Sequence, residues 1–204
     1  MGVLSTSVSI TRYRVRGQLQ NPVIETIGAV LQKYCISEID GDSAEKSVGW
    51  TSFETPYTPN FGGSSFLIGS YLVFSLRLDK KRISSKTLKK HYSLAERKRL
   101  VESGREYLTG NEKKMLKESV LQALSQKTPA TPHVYDVIWD YEKGKLWYFT
   151  NLKAANEELE SLFSRSFKLS LIRMFPYTAA DLAAELSDGQ KDALNKLNPT
   201  SFTG

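Results

Sequence analysis

The chain is short of the residues that build most catalytic and metal centres, with one cysteine, Cys35, and two histidines, His91 and His133, in 204 residues. A lone cysteine excludes an internal disulfide, and with only two histidines elsewhere in the chain a zinc site of ordinary ligand count is close to excluded. No run reaches the eighteen or so apolar residues that a membrane-spanning helix needs. Residues 1–9 hold no basic stretch leading into an apolar one, so no secretory leader is read there. We therefore expect a soluble, cytoplasmic protein of one or two small domains. No phosphate-cradling glycine loop is present either, because FGGSS at residues 61–65 runs into a strand pattern instead of a helix. No cofactor is expected.

What the chain has is a core's worth of apolar residues, 40%, and a strongly uneven charge. Residues 77–127 contain 15 Lys/Arg against 6 Asp/Glu, a net of +9, while the remainder hold 13 against 16. A polyanion responds to the local field of a basic face, and counterion release rewards each phosphate neutralised. Nucleic acid is the first ligand class to consider, with an anionic membrane surface and an acidic protein partner as competitors.

Elements follow from periodicity. Residues 3–15 read as a strand, with Val8 and Ile10 alternating and then, after an irregularity, Tyr13 and Val15. Asn21 and Pro22 open a helix with Val23, Ile27, Val30, Leu31 and Tyr34 on its buried stripe. A short strand at 47–52 and a longer one at 65–78, bulged at Gly69, complete a β-α-β-β unit over residues 1–80. Strands at 134–141 and 145–150, a helix at 153–163 and a strand at 168–174 make a β-β-α-β unit over residues 129–176. Thr178 begins a helical tail (177–204), with a second helix from Asp188 to Leu197 ahead of Asn198-Pro199.

Residues 81–128, between the two units, are helical. Ser84 or Ser85 caps a first helix with Leu88, Tyr92 and Ala95 on one face and Lys86, Lys89, Lys90 and Arg97 within about 100° of arc on another. Thr109 and Glu112 form a capping box for a second helix that carries Leu116, Val120, Ala123 and Leu124 inward. The fold expected is α+β, two small sheet-and-helix units joined by a basic α-helical hairpin. Lys80, Lys81, Arg82, Lys86, Lys89, Lys90, Arg97, Lys98 and Arg99 are its phosphate-contact candidates, because only Glu96 and Glu102 accompany them on that helix. Lys113 and Lys117 alternate with acids and play a supporting part.

Several of these stretches occur in an order that is informative as a set. EKSVGW (45–50), LRLDKKRIS (76–84), TGNEKKMLKESVLQAL (109–124), YDVIWDYEKGKLWYFT (135–150) and LKAANEELE (152–160) resemble, in order and spacing, the N-terminal two-thirds of RdgC, the bacterial recombination-associated family. The resemblance runs from about Val3 to Pro176. It implies a homodimeric, nucleoid-associated protein that binds DNA without sequence preference and restrains RecA-promoted recombination, with no catalytic residues and no metal. Family members tend to follow the hairpin with a basic and aromatic segment. Here SQKTPATP (125–132) retains Lys127, which joins the DNA-binding candidates, but offers Pro129 where an aromatic would stand.

Other residues invite other chemistry. Trp50, Tyr57, Phe61, Trp139, Trp147, Tyr148 and Phe149 could stack on unpaired bases, although core packing accounts for most, and Tyr57 and Phe61 in a Pro/Gly loop are expected to be the exposed pair. Asp136, Asp140 and Glu142 raise a metal-dependent nuclease as an alternative, without a third acidic partner at a matching spacing. His91 reads as one more polar group on the basic helix, and Cys35 as an inert thiol. A non-enzymatic DNA-binding protein is the expectation, with a protein-interaction module built on the basic hairpin as the alternative.

Overall fold

The computed structural model describes residues 2–184 and 186–197, and the boundary expected at Asn198-Pro199 lies outside them. Strand β1 (Thr11–Arg16) leads to α1 (Val23–Lys33) and β2 (Lys46–Thr51). The hairpin strands β3 (Leu67–Ile68) and β4 (Tyr71–Lys80) follow. The long helices α2 (Ser85–Ser103) and α3 (Gly110–Lys127) come next, then β5 (Thr131–Asp140), β6 (Lys145–Tyr148), α4 (Lys153–Phe167) and β7 (Ser170–Arg173). Two short helices, α5 (Pro176–Ala184) and α6 (Asp188–Lys196), close the described chain.

The protein is α+β, and its strands form one antiparallel sheet in the order β2-β4-β5-β6-β1-β7, with β3 paired to β4. This corrects the expectation of two separate sheet-and-helix units. Strand β1 lies between β6 and β7, pairing Tyr13 with Leu146 on one side and with Arg173 on the other, while β4 pairs with β5 along its whole length. Neither segment closes a sheet alone. Each leaves a strand edge that the other's backbone groups satisfy.

Helices α1 and α4 cover one face. Ile27 and Leu31 of α1, and Leu159, Leu162, Phe163 and Phe167 of α4, pack on Tyr13, Trp50, Phe74, Leu76, Trp139 and Tyr148. Trp50 meets Phe74 edge-on at 5.1 Å, and Trp139 meets Phe163 at 5.1 Å and Phe167 at 5.3 Å, the offset arrangements that ring quadrupoles favour. The stripe expected on α1 is the one that packs, although the helix begins at Val23 with no side-chain cap.

Three local expectations change. Residues 3–10 do not form strand: they cross the opposite sheet face, where the Val3 amide donates to Asp136 Oδ2 at 2.8 Å, and Val8 and Ile10 are exposed. The run at 65–78 is not one bulged strand but the β3–β4 hairpin, turning where Gly69 adopts φ 61°, a conformation open to glycine and costly for other residues. Helix α5 starts at Pro176, two residues before Thr178.

Candidate nucleic-acid interface

The basic segment forms the expected helical hairpin, and its construction is local. Ser84 caps α2 by accepting the Thr87 amide at 3.1 Å, and Gly104 ends the helix in the left-handed region at φ 64°. Thr109 and Glu112 form the capping box of α3, and Glu112 also takes Arg105 at 2.6 Å across the turn. These bonds hold the Glu112 carboxyl down to about 2, the Arg105 contact being the largest cause. Leu108, buried, fills the bend.

The two helices pack chiefly on each other. Leu88, Tyr92 and Ala95 are partly covered by α3, and no residue of α2 is buried. On α3, Leu116 is buried and Val120 and Leu124 are half-buried, whereas Ala123 is exposed and Ser125 takes the buried place expected of it. Among the described residues the hairpin therefore projects from the sheet and is tied to it only at its base. There Lys81 Nζ donates to the carbonyls of Asp42 at 2.7 Å and Ser125 at 2.8 Å, Ser125 Oγ donates to the Ser43 carbonyl, and the Ala130 amide donates to Asp40 Oδ1.

That anchoring corrects one expected contact. Lys81 is 8% exposed with its ammonium committed to two carbonyls, so it fastens the hairpin and is not available to phosphate. Arg77, counted in the basic segment, is also interior. Its guanidinium grips Asp79 through two bonds at 2.8 and 2.7 Å, reaches Glu38 at 2.8 Å and lies beneath the Tyr57 ring at 5.5 Å. Burial would lower its pKa, but the bonds to Asp79 and Glu38 outweigh that and raise it.

The other candidates reach solvent. Arg82, Lys86, Lys89, Lys90, Arg97, Lys98, Arg99, Lys113, Lys117 and Lys127 are exposed and Lys80 is half-exposed. Among the described residues of α2 the single ion pair is Lys98 to Glu102 at 3.8 Å, so Lys86, Lys89, Lys90, Arg97 and Arg99 carry uncompensated charge. Lys89 and Lys117 line one groove between α2 and α3, beside Leu88 and Tyr92, which gives Lys117 a closer part in the basic surface than its sequence neighbours indicate. Lys86, Lys90, Leu94, Arg97 and Val101 fall within about 80° of arc at 100° per residue, a stripe in which cations alternate with two exposed apolar side chains. Leu94 is 58% and Val101 77% exposed.

Of the acidic residues that raised a nuclease, Asp136 and Asp140 are engaged in structure and Glu142 is exposed. Asp136 accepts Ser75 Oγ at 2.8 Å and the Val3 amide, and Asp140 accepts the Lys143 amide at 3.0 Å. Among the described residues no three His, Cys, Asp or Glu side chains are placed to hold a metal ion. Trp50, Trp139, Tyr148 and Phe149 are core residues, Phe61 is buried where exposure was expected, and Tyr57 is exposed as expected. Burial pushes the Cys35 thiol up.

One basic surface escaped the segment-by-segment charge count. In β1 the burial alternates strictly, so Arg12, Arg14 and Arg16 all emerge on the sheet face away from α1 and α4. Lys145 and Trp147 of β6 stand directly opposite Arg14 and Arg12. The alternation in TRYRVR was the available signal, since a period of two places every second residue on one face.

No protein-family model and no curated protein matches the chain. Among the described residues no helix is long and apolar enough to cross a membrane.

Proposed function

We propose that this protein binds DNA without sequence preference through the outer face of the helical hairpin, acting by occupancy to limit the access of recombinases or nucleases, as the RdgC resemblance implies. The observation that carries this reading is the row of unpaired cations on α2, exposed along a projection that packs on little but α3. Long cationic side chains on a protruding helix suit phosphates and need no base readout. The resemblance adds a homodimer associated with the nucleoid, in functional opposition to RecA, with no catalytic group and no cofactor.

Salt titration of binding to a duplex is the test. About six phosphate contacts give a log–log slope near −5, and reversing Lys86, Lys89, Lys90 and Arg97 to Glu removes most of the affinity together with most of the slope. A flat salt response, or unchanged binding by the reversed protein, refutes the reading.

A second reading, a protein-interaction hairpin that docks an acidic partner, is favoured by Leu94 and Val101. Phosphate contacts make no use of exposed apolar side chains, and protein interfaces do. Substituting Leu94 and Val101 by Ser leaves duplex affinity unchanged under the first reading and weakens partner binding under the second.

A further inference from the structure

We propose that the exposed face of the sheet, along β1 and β6, is a second and separate binding surface, for single-stranded nucleic acid, with bases stacked on Trp147 and Tyr71 and phosphates held by Arg12, Arg14, Arg16 and Lys145.

The surface is assembled by the sheet register. Arg12 stands opposite Trp147, Arg14 opposite Lys145, and Trp147 opposite Ile138 of β5, so a cationic strand runs beside an aromatic and aliphatic floor. Tyr71 of β4 extends that floor, meeting Trp147 edge-on with ring centres 6.2 Å apart. Tyr71 is exposed, Trp147 is partly exposed, and Arg12, Arg14, Arg16 and Lys145 are all exposed. Among the described residues none of these four cations makes an ion pair; Arg14 donates one hydrogen bond to the Lys143 carbonyl. Helices α1 and α4 cover only the other face, and residues 2–9 run on the Asp136 side of this one.

The spacing matches an extended polynucleotide. Alternate residues of a strand lie roughly 6.5 Å apart, so the three arginines offer one cation at intervals comparable to successive phosphates of a stretched chain. Strand β6 lies about 4.8 Å to the side, which sets the aromatic floor where the bases of that chain would fall. A base laid flat on Trp147 gains stacking that does not depend on its identity. A duplex cannot use the floor, because its bases are already stacked and paired.

Arg12, Trp147, Lys145 and the first residues past β7, with Met174 and Ala179 as one wall, enclose a hollow of about 210 Å³. That is smaller than the roughly 300–1,000 Å³ of a typical small-molecule site, as expected where only one part of a longer ligand enters. A second copy of the same face would bring like charges together and is disfavoured.

Intrinsic fluorescence tests this on the full chain without substitution. Of the three tryptophans, Trp50 and Trp139 are fully buried, so a ligand that stacks on the surface reports through Trp147. Titration with a ten-nucleotide oligothymidylate should quench emission saturably, a duplex of equal length should not, and Trp147→Phe should abolish the quench. The double variant Arg12→Gln, Arg16→Gln should bind the oligothymidylate about tenfold more weakly while keeping its duplex affinity. The hairpin reversal at Lys86, Lys89, Lys90 and Arg97 should keep a saturable quench, so the two surfaces fail independently. Absence of quenching in the unsubstituted protein, an equal quench by duplex or by polyglutamate, or a quench that survives Trp147→Phe overturns the proposal.

Discussion

Lys81 and Lys86 are five positions apart in the same basic run and do opposite things. The Lys81 ammonium satisfies the carbonyls of Asp42 and Ser125 in the interior, whereas Lys86 projects from α2 into solvent. Lys81→Met should therefore cost about 1–3 kcal/mol of stability by stranding two carbonyls and the hairpin base, measured by denaturant unfolding. Lys86→Ala should change stability by no more than about 0.5 kcal/mol yet lower duplex affinity and flatten its salt slope by about one contact. If Lys81→Met proves neutral in stability, the anchoring account is wrong. Nothing in the string DKKRISSK (79–86) separates the two lysines, because burial depends on what loop 40–43 and the end of α3 bring to Lys81. The capping residues were legible, since Ser84, Gly104, Thr109 and Glu112 act on backbone groups a few residues away.

At the scale of elements, the turn of the hairpin is where charge sets geometry. Glu112 binds Arg105 and the Thr109 backbone, and its carboxyl is held near 2 where an ordinary glutamate titrates at 4.5. A carboxylate with a lowered folded value contributes stability that is present above its unfolded value and lost as pH falls through the folded one. The hairpin turn should therefore loosen between about pH 4.5 and 2, visible as fraying of the α3 amides in hydrogen exchange. Glu112→Gln should remove that pH dependence while the Thr109 cap persists. A hairpin that loosens identically in both proteins would refute the assignment. Helices and strands with strong periodicity were readable for the same reason that the caps were. The errors at this scale fell on residues 3–10 and 65–78, where apolar runs fit either a strand or something else and long-range contacts chose.

Across the whole molecule, the hairpin is an insertion between two strands that pair without it. Lys80 and Thr131 are cross-strand partners, so β4 and β5 form one long hairpin interrupted at its tip. Replacing residues 82–129 by a short Gly-containing turn should leave the sheet and both its covering helices folded, because α2 buries nothing and α3 buries only Leu116 and Ser125. The shortened protein should keep its near-ultraviolet dichroism, which reports the Trp50 and Trp139 cluster, and lose salt-dependent duplex binding. Loss of that spectrum would show that the hairpin helps to hold the core.

The sequence by itself determined the α+β class, the basic hairpin with its caps, and the core stripe of α1, because each rests on patterns among residues near in the chain. It also held the alternation that sends Arg12, Arg14 and Arg16 to one face. Only the tertiary structure decided that the strands of both segments share one sheet, that Lys81 and Arg77 are interior, and that β6 sets Trp147 beside those arginines. The shared sheet and the place of Trp147 depend on strand pairing between residues more than a hundred positions apart, and the burial of Lys81 and Arg77 on Asp42, Ser125 and Glu38 from other segments, none of which local periodicity encodes.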